Sequence, residues 1–401
     1  MAAEPAVTPL VHGAPGAWSA LAASARRECA YLRASRWDLA LVTWIPWLLL
    51  CAIMAALSAG LLRHLPIAVV DQDRSADSRA LIRGLQASPG LQVAATPVDL
   101  PAAWSEVRAG KVYAVVYIPR DAARQVQRGD SATLFAFYNA SYLTAGQAAA
   151  REIAAVVQAQ NAATGAGRAQ YVVSGTSVAP VQVQSSVLFN AAKSYQHFLG
   201  GLMLPGILHI ALALAAVAAL GRELRDGSAP AWLAACGGRM VPAVLGKLAP
   251  YLLLFAAYLM AAVFWTGYLR GNGVAGSVAL LALGGFALCL ACGAFALLLV
   301  GLTRNMGSAL SLVGVTFGMA VAFSGGTFPV TDGARFAQVW SDLLPFTAYV
   351  KLQMQQVDIG APWAVSLKPL GVLLLFVLGA GLPGLRLFAR AARDPKSWGL
   401  R

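Results

Sequence analysis

Three short patterns in this 401-residue chain could do chemistry. Cys289 and Cys292 form a Cys-x-x-Cys pair, a spacing used by redox centres and metal sites. Asp71, Asp73 and Asp77 crowd the stretch DQDRSAD, and carboxylates at that spacing can hold a cation. Gly246-Lys247 is the nearest approach to a phosphate-binding loop, where backbone N–H groups and a lysine cradle phosphates. None of the three is complete. The cysteine pair lies inside an apolar run and reads as small packing residues. DQDRSAD lacks the glycine and final glutamate of a calcium loop and reads as a turn and helix cap. Leu248 replaces the Ser or Thr after Lys247, and Val241 stands where the first glycine belongs. No Ser-His-Asp or zinc spacing stands out. The expectation is a chain with no catalytic, cofactor-binding or metal-binding residues, so ATP-driven work requires another subunit.

The elements that hold these residues are mostly membrane-spanning. Hydrophobic residues make up 58% of the chain and charged residues 12%, about half the charge of a soluble domain. Uncharged runs cover residues 39–62, 198–221, 248–269, 271–303 and 305–331. A shorter sixth run, 369–385, has Lys368 and Arg386 to snorkel from its ends. A span needs about 20 apolar residues, so six spans are expected. The first run starts too far in for a cleaved signal and reads as a permanent anchor. The spans contain no Asp, Glu, Lys or Arg between their ends; His209 is their one candidate relay and reads as a packed or hydrogen-bonded residue.

The net charge of +13 could point to nucleic acid. Its placement points to topology instead. Arg26, Arg27, Arg33 and Arg36 precede the first span, and Arg222, Arg225, Arg239 and Lys247 lie around the loop between the second and third. Arg304 follows the fourth, and Arg386, Arg390, Arg393, Lys396 and Arg401 follow the sixth. All lie on one side, which the positive-inside rule makes cytoplasmic, with both termini inside. No nucleic-acid partner is expected; membrane lipid is. The cysteines, Cys29, Cys51, Cys236, Cys289 and Cys292, all lie outside residues 63–197, so no disulfide framework is available there.

The expected organisation is as follows. Residues 1–37 form a cytoplasmic segment, disordered over 1–15, with an amphipathic surface helix over 18–37 that could equally be a plain extension of the first span. The first span covers 38–62. Residues 63–196 regain charge and alternate strand-like and helix-like runs, among them VYAVVYI and the Ala/Gln-rich 144–163, which argues an extracytoplasmic α/β domain with one sheet. Spans two to six fill 197–388, with a cytoplasmic loop at 221–247 and an outer segment at 332–366. There Trp340, Phe346 and Tyr349 suit the headgroup level. A basic cytoplasmic tail covers 389–401. The fold class is thus an α-helical integral membrane protein with an α/β domain inserted between spans one and two.

The order of these parts resembles the ABC-2 type permeases, the membrane subunits of ATP-binding cassette exporters, in the subgroup with a large loop after the first span. RRECAYLRASRWDLAL is similar to the family's basic helix before span one. LPIAVVDQDRSADSRALIRGLQASPGLQV and RAGKVYAVVYIPRDAARQVQRG resemble its outer strand-helix units. FNAAKSYQHFLGGLMLPGIL resembles the approach to span two, GRELRDGS with LGKLAPY the cytoplasmic loop, and FPVTDGARFAQVWSDLLPFTAYV the segment before the last span. The likeness covers most of residues 24–390. Where the family continues Gly-Thr-Glu, this chain has Gly227-Ser228 followed by Ala229-Pro230, and the family's Asn-Pro is Asn190-Ala191 here.

The resemblance implies a permease in the bacterial inner membrane that pairs with a second copy or a paralogue. It also implies two separate ATPase subunits that bind the ATP, and a periplasmic adaptor as a further partner. It places the ATPase-coupling loop at Arg222, Glu223, Arg225 and Asp226. On that reading a Glu223→Lys reversal spares folding and insertion, because Arg222 and Arg225 still hold the loop inside. The competing classes are an ion-coupled secondary transporter, opposed by the uncharged spans, and a membrane-anchored receptor or scaffold, which leaves five spans without a purpose.

Reporter fusions after Ala163 and Gly333 should read extracytoplasmic, and those after Gly227 and Arg393 cytoplasmic. A cytoplasmic signal after Ala163 overturns the arrangement.

Overall fold

The computed structural model describes residues 16–57, 63–128, 130–139, 143–163, 171–174, 196–269, 273–327, 330 and 334–399. The expected disordered stretch at 1–15, the end of the first apolar run and the approach to span two at 190–195 lie outside the described residues. The chain divides into two compact units, residues 1–58 with 189–401 and residues 59–188.

The helical unit opens with α1 (Ala17–Ala34), α2 (Arg36–Val42) and α3 (Trp44–Ala56). The sequence pattern reads as one helix over 18–37, but the chain breaks at Ser35. Ser35 takes an extended backbone and its hydroxyl accepts from the Asp38 N–H, capping α2. Pro46 has no N–H to give and sits in the first turn of α3, where none is needed.

The smaller unit contains β1 (Leu65–Asp71), α4 (Ala76–Ala87), β2 (Leu91–Ala95), α5 (Leu100–Arg108), β3 (Ala114–Ile118), α6 (Ala122–Gln127), β4 (Ala132–Tyr138), α7 (Leu143–Ala163) and β5 (Tyr171–Ser174). The five strands form one sheet in the order β2-β1-β3-β4-β5. β1 is parallel to β2 and β3, β3 is antiparallel to β4, and β4 is parallel to β5. Alternate residues of β1 serve two cores. Leu65, Ile67 and Val69 pack with Leu81, Leu85 and Ile153 of α4 and α7, while Ala68 and Val70 pack with Ala103 of α5. β5 lies in a stretch whose sequence reads as irregular. The Asp71 carboxylate accepts from the N–H groups of Asp73 and Arg74 and from the Ser78 hydroxyl, so DQDRSAD builds a turn and a helix cap.

The helical unit resumes with a π-helical turn at Gln196–Gly200 and continues through α8 (Gly201–Arg225), α9 (Ala229–Ala235), α10 (Met240–Phe264), α11 (Val278–Thr303), α12 (Met306–Gly318), α13 (Ala320–Phe323), α14 (Arg335–Asp342), α15 (Pro345–Met354) and α16 (Trp363–Arg393). Further π-turns follow α10 at Trp265–Leu269 and α15 at Gln355–Ile359. Among the described residues six helices are long and apolar enough to cross a membrane: Arg36–Ala56, His197–Arg225, Met240–Leu269, Val278–Thr303, Met306–Phe323 and Trp363–Arg393. The sixth is longer at both ends than its apolar run.

Lipid tails are as apolar as leucine, so helices in a membrane associate by close packing rather than by hydrophobic transfer. α11 and α16 form the longest helix contact in the unit. A Cβ at Gly384 would stand 2.8 Å from the Leu298 amide nitrogen, and one at Gly301 2.8 Å from that of Phe388. Cys289 and Cys292 are buried on α11 as packing residues. His209 on α8 is likewise packed, its ring stacked on Phe346 at 4.4 Å. That contact bears on one expectation. Phe346 and Tyr349 are packed side chains rather than exposed anchors, because every residue from Pro345 to Val350 is buried and α15 packs into the helical core. α14 keeps the interfacial character, with Phe336, Val339 and Leu343 exposed.

Gly301→Val or Gly384→Val should cost about 1–3 kcal/mol or more through overpacking against backbone, read as a lower unfolding temperature in detergent. Gly379→Ala, where nothing lies within 4 Å of the added carbon, should be neutral or slightly stabilising. Equal melting of all three variants would refute the close crossing.

Candidate functional site

The chemistry concentrates where α1 lies across the starts of α9 and α10 and the end of α8. α1 reaches this position because α10 carries Gly246 there. A Cβ at Gly246 would collide with the Leu21 carbonyl oxygen, so only glycine admits the helix so closely. Ser24 fixes the contact: its hydroxyl donates to the Ala243 carbonyl at 2.7 Å and accepts from the Trp232 indole N–H of α9 at 2.8 Å.

Five charged side chains meet beneath this contact. The Lys247 ammonium lies between two carboxylates, 2.5 Å from Glu28 Oε2 and 2.7 Å from Glu223 Oε1. Arg222 Nη2 reaches Glu28 Oε1 at 2.6 Å, and Tyr251 donates to the same oxygen at 2.6 Å. Arg27 approaches Glu223 from α1 at 3.1 Å, and the Ser228 hydroxyl donates to Glu223 at 2.5 Å. The Arg222 guanidinium also lies 3.4 Å from the centroid of the Tyr31 ring. Lys247 and Glu28 are each 1% exposed and Glu223 is 2% exposed, whereas the Arg27 side chain is 40% exposed. Burial raises the Glu28 carboxyl, but Lys247 and Arg222 pull harder the other way, and the group lies below the ordinary carboxylate range.

The four residues marked by the sequence therefore separate. Arg222 and Glu223 face inward and tie α8 to α1 and α10. Arg225 and Asp226 face outward and pair with each other at 2.7 Å, an ion pair that holds Asp226 below its ordinary range. The expectation that Glu223→Lys spares folding is corrected by burial, since it would place a third cation beside Lys247 and Arg27 with no water to screen it. Glu28, Lys247, Tyr251 and Trp232 escaped the sequence reading of this site. Four neighbouring arginines mask Glu28 in the sequence, and Lys247 reads as a topology charge although it lies two turns inside α10, among apolar residues.

The face of α9 turned away from this cluster is smooth. Pro230, Ala231, Ala234 and Ala235 are exposed, while Ala229, Trp232 and Leu233 are buried. Lys247 stands 5.4 Å from the Trp232 ring centroid. α9 thus bears on α1 through the Trp232–Ser24 hydrogen bond and on α10 through Lys247.

The sequence matches the model of the ABC-2 family transporter proteins over residues 36–384. No curated protein and no solved structure matches the chain.

Lys247→Met should destabilise the helical unit by about 3–5 kcal/mol, because two buried carboxylates lose their common cation. Arg27→Ala, at a water-facing pair, should cost at most about 1 kcal/mol. The Glu28 contribution has a defined pH dependence. With its folded value lowered, it is present above the unfolded carboxylate range and lost as pH falls through the folded value. The unfolding-temperature gap between wild type and Glu28→Gln should therefore be wide at neutral pH and close in acid. A gap that persists unchanged in acid would show that the charge of Glu28 is not what holds α1.

Proposed function

The chain belongs to the ABC-2 transporter family and is a multi-pass membrane permease subunit of an ABC transporter, and we propose that it works as the transmembrane half of an ATP-driven exporter. Its motor is a separate ATP-binding cassette subunit, which holds the ATP. A second permease copy or a paralogue completes the pathway. The substrate leaves from the cytoplasm or the inner membrane, and both termini lie in the cytoplasm. The α/β unit then faces the periplasm, where an adaptor protein is a fitting partner.

One observation carries the coupling scheme: α9 offers a small-residue face outward while its inward face is bound to the buried ion cluster. An ATPase seated on Pro230, Ala231 and Ala234 would move Trp232, and through it α1 and α10 together. The exposed pair Arg225–Asp226 flanks that seat and supplies charge for orientation. The family's acidic residue after the Gly-Ser turn is replaced here by Ala229, which is buried, so contact through a carboxylate at that position gives way to contact through shape. ATP drives transport only by favouring one arrangement of these helices over another.

Ala231→Trp and Ala234→Arg should keep membrane levels and unfolding temperature, because both positions are exposed, yet weaken co-purification of the ATPase about tenfold or more. The purified permease alone should hydrolyse no ATP. Full ATPase association by both α9 variants at matched membrane levels would move the docking surface elsewhere, and turnover by the lone chain would end the two-subunit reading.

A further inference from the structure

A second polar cluster lies at the other end of the helical unit, far from the ion cluster. α14, α15 and the start of α16 enclose a groove of about 430 Å³. Its upper part is lined by Lys351, Lys368 and Asp342, with Ser341, Thr347 and Gln355 beside them. Among the described residues, neither lysine makes an ion pair or a hydrogen bond. Two cations and one carboxylate leave the groove with a net charge of about +1. All three residues are exposed, and the unbalanced charge fits a singly charged anion.

The lower part of the groove is apolar. Pro369, Val372 and Phe376 line it at intervals of three to four residues, so they share one face of α16. From Lys368 to Phe376 the helix descends about 12 Å, against about 15 Å for one leaflet of hydrocarbon. α14 sets the depth. It exposes Phe336, Val339 and Leu343, an apolar face that seats a helix in the headgroup layer, and it ends at Asp342, on the rim of the groove. The charged part of the groove therefore lies at headgroup level and the apolar stripe points down into one leaflet.

We propose that this groove is a binding site for an anionic phospholipid, whose phosphodiester is held by Lys351 and Lys368 and whose acyl chain lies along Val372 and Phe376. A snorkelling lysine needs only water above it; the groove adds a second lysine, the mutually hydrogen-bonded hydroxyls of Ser341 and Thr347, and a chain-length apolar track beneath. The site is separate from the coupling cluster and does not depend on the direction of transport.

The test uses the full chain in nanodiscs of phosphatidylcholine with a minor fraction of phosphatidylglycerol, followed by mass spectrometry of the lipid retained on release into detergent. Wild type should retain phosphatidylglycerol in preference to phosphatidylcholine. Lys351→Gln and Lys368→Gln should each cut that preference about fivefold, the effect expected of one lysine at an anionic headgroup. Lys351→Arg and Lys368→Arg should preserve it. Val372→Trp, which fills the track without changing charge, should reduce it as well. Lys111→Gln, in the α/β unit, should leave it unchanged and controls for net charge. Equal retention of both lipids by wild type, or an undiminished preference in the double Lys→Gln variant, overturns the proposal. Full competition by soluble glycerol phosphate also overturns it, because the site would then bind an anion without needing the chain.

Discussion

An ammonium group cut off from water has to be neutralised where it stands, and Lys247 is neutralised by carboxylates that come from two other elements. Glu28 arrives on α1 and Glu223 on α8, each within 2.7 Å of the nitrogen. Removing either partner leaves a buried charge whose cost is several kcal/mol, so the three elements keep their relative positions or the unit does not fold. The hydroxyls of Tyr251 and Ser228 fill carboxylate lone pairs that the cations leave open. Arg27, at the water edge, adds little energy but closes the cluster towards solvent. The rest of the α1 contact follows from this demand: Gly246 removes the side chain that would hold α1 away, and Ser24 links the α10 backbone to the α9 indole.

The remainder of the helical unit is assembled on a different principle. Away from the ion cluster, the middles of the spans carry no Asp, Glu, Lys or Arg, and close packing chooses the neighbours of a helix. Small residues do that work where backbones approach, as at Gly301 and Gly384 on the α11–α16 crossing and at Gly221, where an added Cβ would meet Met306 at 2.9 Å or less. The unit thus combines an electrostatic joint at one end with contact packing along its length.

The two principles differ in how they show in sequence. Spans declare themselves by uncharged length, and all six were legible; so was the inserted sheet domain, because its β-rich runs and capping residues alternate in the way an α/β unit requires. The close crossings were not legible, since a glycine in a membrane helix looks the same whether or not another backbone lies against it. The ion cluster was half legible. Arg222 and Glu223 stood out as charges where charge is scarce, but a sequence carries no sign of which way a side chain faces. Their partners are 194 and 24 positions away. Phe346 and Tyr349 carry a related ambiguity: aromatic residues near a span end suit the headgroup layer whether they face outward or inward, and here the run from Pro345 to Val350 is buried while Lys351 of the same helix is exposed.

The contrast between the two ends of the helical unit bears on how such a unit could move. At the cluster end, α1, α8 and α10 are bound by short charge-assisted hydrogen bonds, and α9 joins them through Ser228 and Trp232. At the far end the helices lose their regular pitch. α8 is preceded by a π-turn at Gln196–Gly200, α10 runs into one at Trp265–Leu269, and α15 runs into one at Gln355–Ile359. Residues of all three turns, among them Phe198, Thr266 and Val357, line one cavity of about 250 Å³, and its polar edge is the contact of His197 with Asp358. A π-turn shifts the hydrogen bonds to i→i+5 and interrupts the regular α ladder, and such turns are frequent at functional sites. The helical unit therefore has a charge-bonded joint at one end and irregular helix ends at the other. Deformation costs least where the ladder is already broken, so the cavity between the π-turns is where the helix ends of this unit can adjust with the smallest loss of hydrogen bonding.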